Sequence, residues 1–175
     1  MRRLMLLRHA KSAWPDGVDD HERPLSERGR AAALMMGRYM AEHGLLPDLA
    51  IVSTARRAQE TWALVASALG RDSTLRDEAR IYEARSEAIL EVIRETAAGV
   101  RTLLMIGHNP GFQDLAANLI GEGEKSELAR IRQKFPTAGL AVVEFDIAGW
   151  EKAGAGVGRL KRFVTPKSAG NQLPR

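Results

Sequence analysis

Three short apolar runs constrain this chain more than any other feature. Leu4 to Leu7, Leu49 to Val52 and Thr102 to Ile106 have strand length and no polar alternation. A run of that kind reads as a strand buried on both faces, as in a parallel sheet. Longer amphipathic stretches lie between the runs. Ser26 reads as the N-cap of a helix to about His43, with Gly44 as its stop. A second helix is predicted from about Ala55 to Leu69, ending at Gly70. Ser86 reads as the cap of a third, to about Ala98, and Pro110 can open a fourth. A short extended piece ends at Ile81-Tyr82. Leu140 to Phe145 and Leu160 to Val164 read as further strands, joined by the Gly-rich turn 149–158. The alternation predicts an α/β fold of three layers, with a mainly parallel central sheet flanked by helices.

The length of 175 residues suits one domain, placed at 1–165, with a polar and flexible tail at 166–175. Cysteine is absent, which excludes a disulfide framework, a thiolate zinc site and a cysteine-phosphatase mechanism. No apolar run approaches the roughly 20 residues of a membrane span. The N-terminus has a charged start but only four apolar residues, too few for a signal peptide, whose apolar region needs about 7–15. The expected setting is therefore cytoplasmic, with no membrane partner. The net charge of +4 raises the possibility of a nucleic-acid partner. Against it, Lys and Arg are scattered among Asp and Glu, without a basic block or interleaved aromatics. No nucleic-acid partner is expected. A modest positive field does suit phosphorylated substrates.

Each of the three apolar runs ends in an unusual group. The first leads into Arg8-His9-Ala10, the second into Ser53-Thr54-Ala55-Arg56-Arg57, the third into Gly107-His108-Asn109-Pro110. Ligands of parallel α/β sheets bind beyond the carboxyl ends of strands. If these strands are neighbours, Arg8, His9, Arg57 and His108 converge without an obligatory carboxylate. Arginine gives charged, bidentate hydrogen bonds to phosphate oxygens. Among such donors a neutral imidazole can attack phosphorus and become phosphohistidine. Neighbouring cations should hold that imidazole unprotonated at neutral pH. Two histidines could instead ligate a metal, but adjacent arginines would repel the cation, and the spacing fits no compact ligand motif.

These residues carry a resemblance. Leu6-Leu7-Arg8-His9-Ala10-Lys11-Ser12 resembles the Arg-His-Gly/Ala signature of the histidine phosphatase superfamily, which has the phosphoglycerate mutase-like fold. Ser53 to Thr61 resembles its Ser-x-x-x-Arg-Ala-x-x-Thr motif, Gly107-His108-Asn109-Pro110 its third, and Arg28-Gly29 after Pro24-Leu25-Ser26 its first helix. The resemblance implies His9 as nucleophile, with Arg8, Arg57, His108 and Ser12 holding the phosphoryl group. The motif selects Arg57 over Arg56, because Ala58 follows it directly. It also implies that neither metal nor organic cofactor is needed. Arg-His-Ala-Lys-Ser-x-Trp in a short chain looks like the SixA branch of phosphohistidine phosphatases.

Two departures stand out. Mutase-like members have an Asn after the Trp of the first motif, where this chain has Pro15 after Trp14. They also have a Glu followed by a long insert over the site, whereas here Glu83, the implied proton donor, is followed almost at once by the helix at Ser86. An uncovered pocket would admit a phosphorylated side chain of a protein. The expected substrate is therefore protein phosphohistidine; the alternatives are a small phosphorylated metabolite or a module that binds phosphate without hydrolysing it.

Overall fold

The structure is a computed structural model that describes residues 1–172. One sheet contains β1 (Arg2–Arg8), β2 (Leu49–Ser53), β3 (Thr74–Glu78), β4 (Thr102–Gly107), β5 (Ile120–Glu122), β6 (Leu140–Phe145) and β7 (Gly158–Val164). Its order is β3-β2-β4-β1-β6-β7-β5. The pairs β3–β2, β2–β4, β4–β1 and β5–β7 are parallel, and β6 alone runs against its neighbours β1 and β7. The helices are α1 (Glu27–Glu42), α2 (Arg56–Leu69), α3 (Ser86–Arg94), α4 (Gly111–Leu119), α5 (Lys125–Gln133) and α6 (Pro166–Gln172).

Burial explains why the strands read as continuous apolar runs. Leu4, Met5, Leu6 and Leu7 are all fully buried, because successive side chains enter opposite layers. Leu4, Leu6, Ile51, Leu103 and Met105 pack with residues of α3, α4 and α5. Met5, Leu7, Ala50, Val52, Leu104 and Ile106 pack with residues of α1, α2 and α6. The three predicted layers are thus present, around a mainly parallel sheet.

Several boundaries differ from expectation. The extended piece before Tyr82 is the edge strand β3, followed by a 3-10 turn at Ala79–Ile81. Ser86 is the first helical residue of α3; Arg85 occupies the cap position, and the helix stops at Arg94 rather than near Ala98. Strand β5 and helix α5 were not predicted; α5 buries only Ile131, so it has almost no apolar stripe to read. The expected tail from 166 forms α6 as far as Gln172, with Ala169 fully buried; residues 173–175 lie outside the described residues. Ser26 does cap α1, accepting from the Gly29 N–H at 3.1 Å, and Gly70 ends α2 in the left-handed conformation.

Candidate active site

Register places the three chemical groups side by side. Arg8 is level with Gly107, and Val52 with Ile106, so His9, His108 and Ser53 leave adjacent strands at one height. The His9 N–H donates to the Gly107 carbonyl at 3.0 Å, and the two imidazole centroids lie 5.1 Å apart. Gly107 has no room for a side chain, because the Phe112 ring occupies the space a Cβ would take. Arg8, His9, Ser12, Arg23, Arg57, Glu83 and His108 all line one cleft of ≈ 270 Å³.

His9 is nearly buried, and its Nδ1–H donates to the Ala10 carbonyl at 2.8 Å. A carbonyl only accepts, so the proton resides on Nδ1 and Nε2 keeps its lone pair. Burial, and then Arg57, Arg8 and Arg23, push the imidazole down to about 4, while the bond to Ala10 pulls the other way. Thr61 steadies this turn: its Oγ1 accepts from the Ala10 N–H at 3.0 Å and donates to the Arg57 carbonyl at 2.7 Å. His108 donates from Nε2 to Ser53 Oγ at 2.8 Å, leaving Nδ1 to accept from Arg57 at 3.5 Å. Burial, then His9 and Arg57, push His108 down to about 3. Both rings are therefore neutral at pH 7.

The cations are braced by the backbone. Arg8 Nη1 donates to the Phe135 carbonyl at 2.9 Å, while Nε is buried without a partner. Burial and then Arg57 push its pKa down from the ordinary value. Arg57 is 5% exposed and turned into the cleft, whereas Arg56 is exposed and meets Glu60 at 3.5 Å. Helix α2 thus begins with one cation serving the pocket and one serving the surface.

Sequence reasoning missed three side chains here. Asp20 accepts from Arg57 at 3.1 Å, from Arg23 at 2.9 Å and from the Tyr82 hydroxyl at 2.5 Å. The Tyr82 bond, then those to Arg23 and Arg57, hold its carboxyl well below the usual carboxylate range. A carboxylate thus stands beside the four predicted side chains, bound to Arg57. Arg23 also donates to Ser12 Oγ and to the Ala13 carbonyl, and its guanidinium stacks 3.1 Å from the Trp14 ring centroid. It brings donors to the stretch where Pro15 supplies none. The available signal was Arg23 itself, directly before Pro24-Leu25-Ser26.

Glu83 is exposed on the cleft rim, with φ at +50°. A non-glycine residue there costs on the order of 1 kcal/mol, which the surrounding chain must hold in place. No group of three or more His, Asp and Glu side chains placed to hold a metal ion occurs among the described residues. As an assembly, the cleft offers three guanidinium groups, two neutral imidazoles and a rim carboxylate. That set can bind a phosphoryl group, present a nucleophile to it and exchange a proton with its leaving group.

A sequence model of the histidine phosphatase superfamily (branch 1) matches residues 4–84. An uncharacterised protein of Mycobacterium tuberculosis is 37% identical over 164 residues, spanning 92% of this chain and all of the relative. Among solved structures, SixA of Agrobacterium tumefaciens, a candidate phosphohistidine phosphatase, superposes with TM-score 0.79 at 33% identity, covering 94% of this chain and 98% of that one. SixA of Nakamurella multipartitia, described in the same terms, gives TM-score 0.79 at 26% identity, covering 94% and 96%. With the motifs, the fold and these relatives in agreement, the chain belongs to the histidine phosphatase superfamily.

Proposed function

We propose that this protein is a phosphatase that works through a phosphohistidine intermediate on His9, with protein phosphohistidine as substrate. One observation carries the reading: the Nδ1–H of His9 is committed to the Ala10 carbonyl, which leaves Nε2 bare beside Arg8, Arg23, Arg57 and His108. In the first step the Nε2 lone pair attacks phosphorus. The N–P bond forms as the bond to the leaving group breaks, and the leaving group takes a proton from the Glu83 carboxyl or from solvent. In the second step water attacks phosphorus, gives its proton to the Glu83 carboxylate or to solvent, and breaks the N–P bond. The products are inorganic phosphate and free His9. Arginine donors bear the charge on the equatorial oxygens, so the chain's own residues can supply each role.

The rim supports a side chain of a protein as substrate. Only Tyr82 to Arg85 separate the turn at Ala79–Ile81 from α3, and Lys11, Trp14 and Glu83 stand exposed around the cleft. The imidazole released from a phosphohistidine is a fairly good leaving group, which suits a proton donor on an exposed rim. Labelling with a radioactive phosphohistidine protein, followed by alkaline denaturation, should retain label on His9, and acid should release it. His9→Ala protein with full phosphatase activity would overturn the mechanism. A panel comparing kcat/KM on a phosphohistidine protein with sugar phosphates and nucleotides tests the substrate class; preference for a metabolite would replace the protein reading.

A further inference from the structure

A second pocket of ≈ 440 Å³ adjoins the phosphate cleft, and the two share Lys11 and Thr137. Four cations line this pocket: Lys11 after β1, Arg28 in the first turn of α1, Lys134 after α5 and Lys167 in α6. No carboxylate lines it. None of the four forms an ion pair among the described residues, while exposed arginines elsewhere do: Arg130 with Glu127, Arg159 with Glu122, and both Arg30 and Arg56 with Glu60. Arg28 also lies where the α1 dipole disfavours a cation. Gathering these charges from four segments therefore costs repulsion that nothing in the pocket lining offsets.

The segment 135–138, whose Pro136 and Thr137 line the second pocket, also braces the phosphate site. The Phe135 carbonyl accepts from Arg8 and from Asn109, and the Ala138 N–H donates to the carbonyls of Arg8 and His9. Ala138 holds φ at +59° to make this turn. The pocket on the Glu83 side of the cleft has the opposite net sign, since its lining sets the carboxylates of Glu83, Glu87 and Asp114 against the one cation Arg85. A substrate with one phosphoryl group at His9 and a second negative group has one side on which to place it.

We propose that the Lys11–Arg28–Lys134–Lys167 pocket is a second anion subsite, which takes a phosphate or carboxylate of the substrate while the scissile phosphoryl group lies against His9. This rests on the phosphatase reading of the cleft. The second anion has two possible sources, a small bisphosphorylated compound or an acidic segment beside a phosphorylated residue. Lysine ammonium groups act as point charges and fit either.

Two substrate pairs distinguish them. One is fructose 1,6-bisphosphate against fructose 6-phosphate. The other is a phosphohistidine peptide followed by Asp and Glu against the same peptide with Asn and Gln. In wild type at least one pair should favour the more acidic member by about threefold to tenfold in kcat/KM, the scale expected of two exposed charge pairs. The preference should lie in KM, shrink with added salt, and vanish or invert in Lys134→Glu/Lys167→Glu. Preference within the sugar pair assigns the subsite to a small molecule, and preference within the peptide pair to a protein. Ratios near one in both pairs, or a preference that survives the double substitution, overturn the proposal. Calorimetry of His9→Ala protein with the same compounds reads the subsite without turnover. Absent hydrolysis with selective binding would then sink the phosphatase reading alone, and equal binding within both pairs would sink the subsite.

Discussion

At the scale of single residues, the site is built from groups whose protonation is fixed by their surroundings. His9 and His108 are held neutral by burial among cations, at about 4 and about 3, against 6.5 for a free imidazole. The sign of the effect on stability follows. Above about 6.5 the imidazoles are unprotonated in both folded and unfolded chains. As pH falls below that value, the unfolded chain takes up protons that the folded one refuses, so the folded state loses ground. For His9 the loss spans pH 6.5 to about 4, on the order of 3 kcal/mol when complete. Asp20 acts in the same direction at lower pH, since its carboxylate is favoured by Tyr82, Arg23 and Arg57. The melting temperature should therefore fall steadily on acidification from pH 6.5. For activity, the pH profile of kcat/KM reports the free enzyme. After correction for ionisation of the substrate, its acid limb should lie near pH 4. A limb near 6.5 would mean that His9 is not shielded as the geometry requires.

At the scale of elements, the catalytic turn depends on how closely α1 approaches it. Lys11 offers its carbonyl to the Ser26 N–H at 2.9 Å and to the Ser26 hydroxyl at 3.1 Å. A Cβ on Gly29 would run into that same carbonyl. Gly29→Ala must therefore push α1 and the 10–13 turn apart. Overpacking of this kind costs about 1–3 kcal/mol, and a displaced nucleophile can cost about 100-fold in rate. Both a lower melting temperature and a lower kcat are expected. Gly99→Ala is the control, because a Cβ there meets open space, and it should leave both unchanged. The Gly29 result bears on what sequence can reveal. Arg8, His9, Arg57 and His108 were legible because each follows an apolar run, or opens the helix after one, and parallel register brings such positions together. Asp20, Arg23 and Tyr82 were not, since they meet Arg57, Ser12 and one another from segments outside the apolar runs, whose path is set by tertiary contacts. The central strands were legible from two-sided burial. Helices α5 and α6 were not, because each buries too few residues to leave a periodic stripe.

At the scale of the whole molecule, the chemistry gathers at one end of the sheet, and the opposite end is pinned separately. Arg2, 2% exposed at the start of β1, donates to the carbonyls of Ala98, Val100 and Ala148. Such a division lets stability and catalysis be perturbed independently, and α6 provides the test. Its Ala169 is fully buried in the layer formed with α1 and α2, and its N–H donates to the Thr165 carbonyl at 2.8 Å. Ala169→Asp would bury a carboxylate with no cation provided for it, or force α6 off the core. Undocking limits the penalty to the packing of this short helix, about 2–4 kcal/mol. For a chain of this length that corresponds to a fall of roughly 5–15 °C in melting temperature. The His9 cleft receives no side chain from α6. Turnover of an aryl phosphate well below the new melting temperature should therefore match wild type. A variant that keeps its melting temperature would show that 166–172 contribute as little as a tail. One that melts at the expected lower temperature but, well below it, loses aryl phosphate turnover would show that α6 supports the cleft itself.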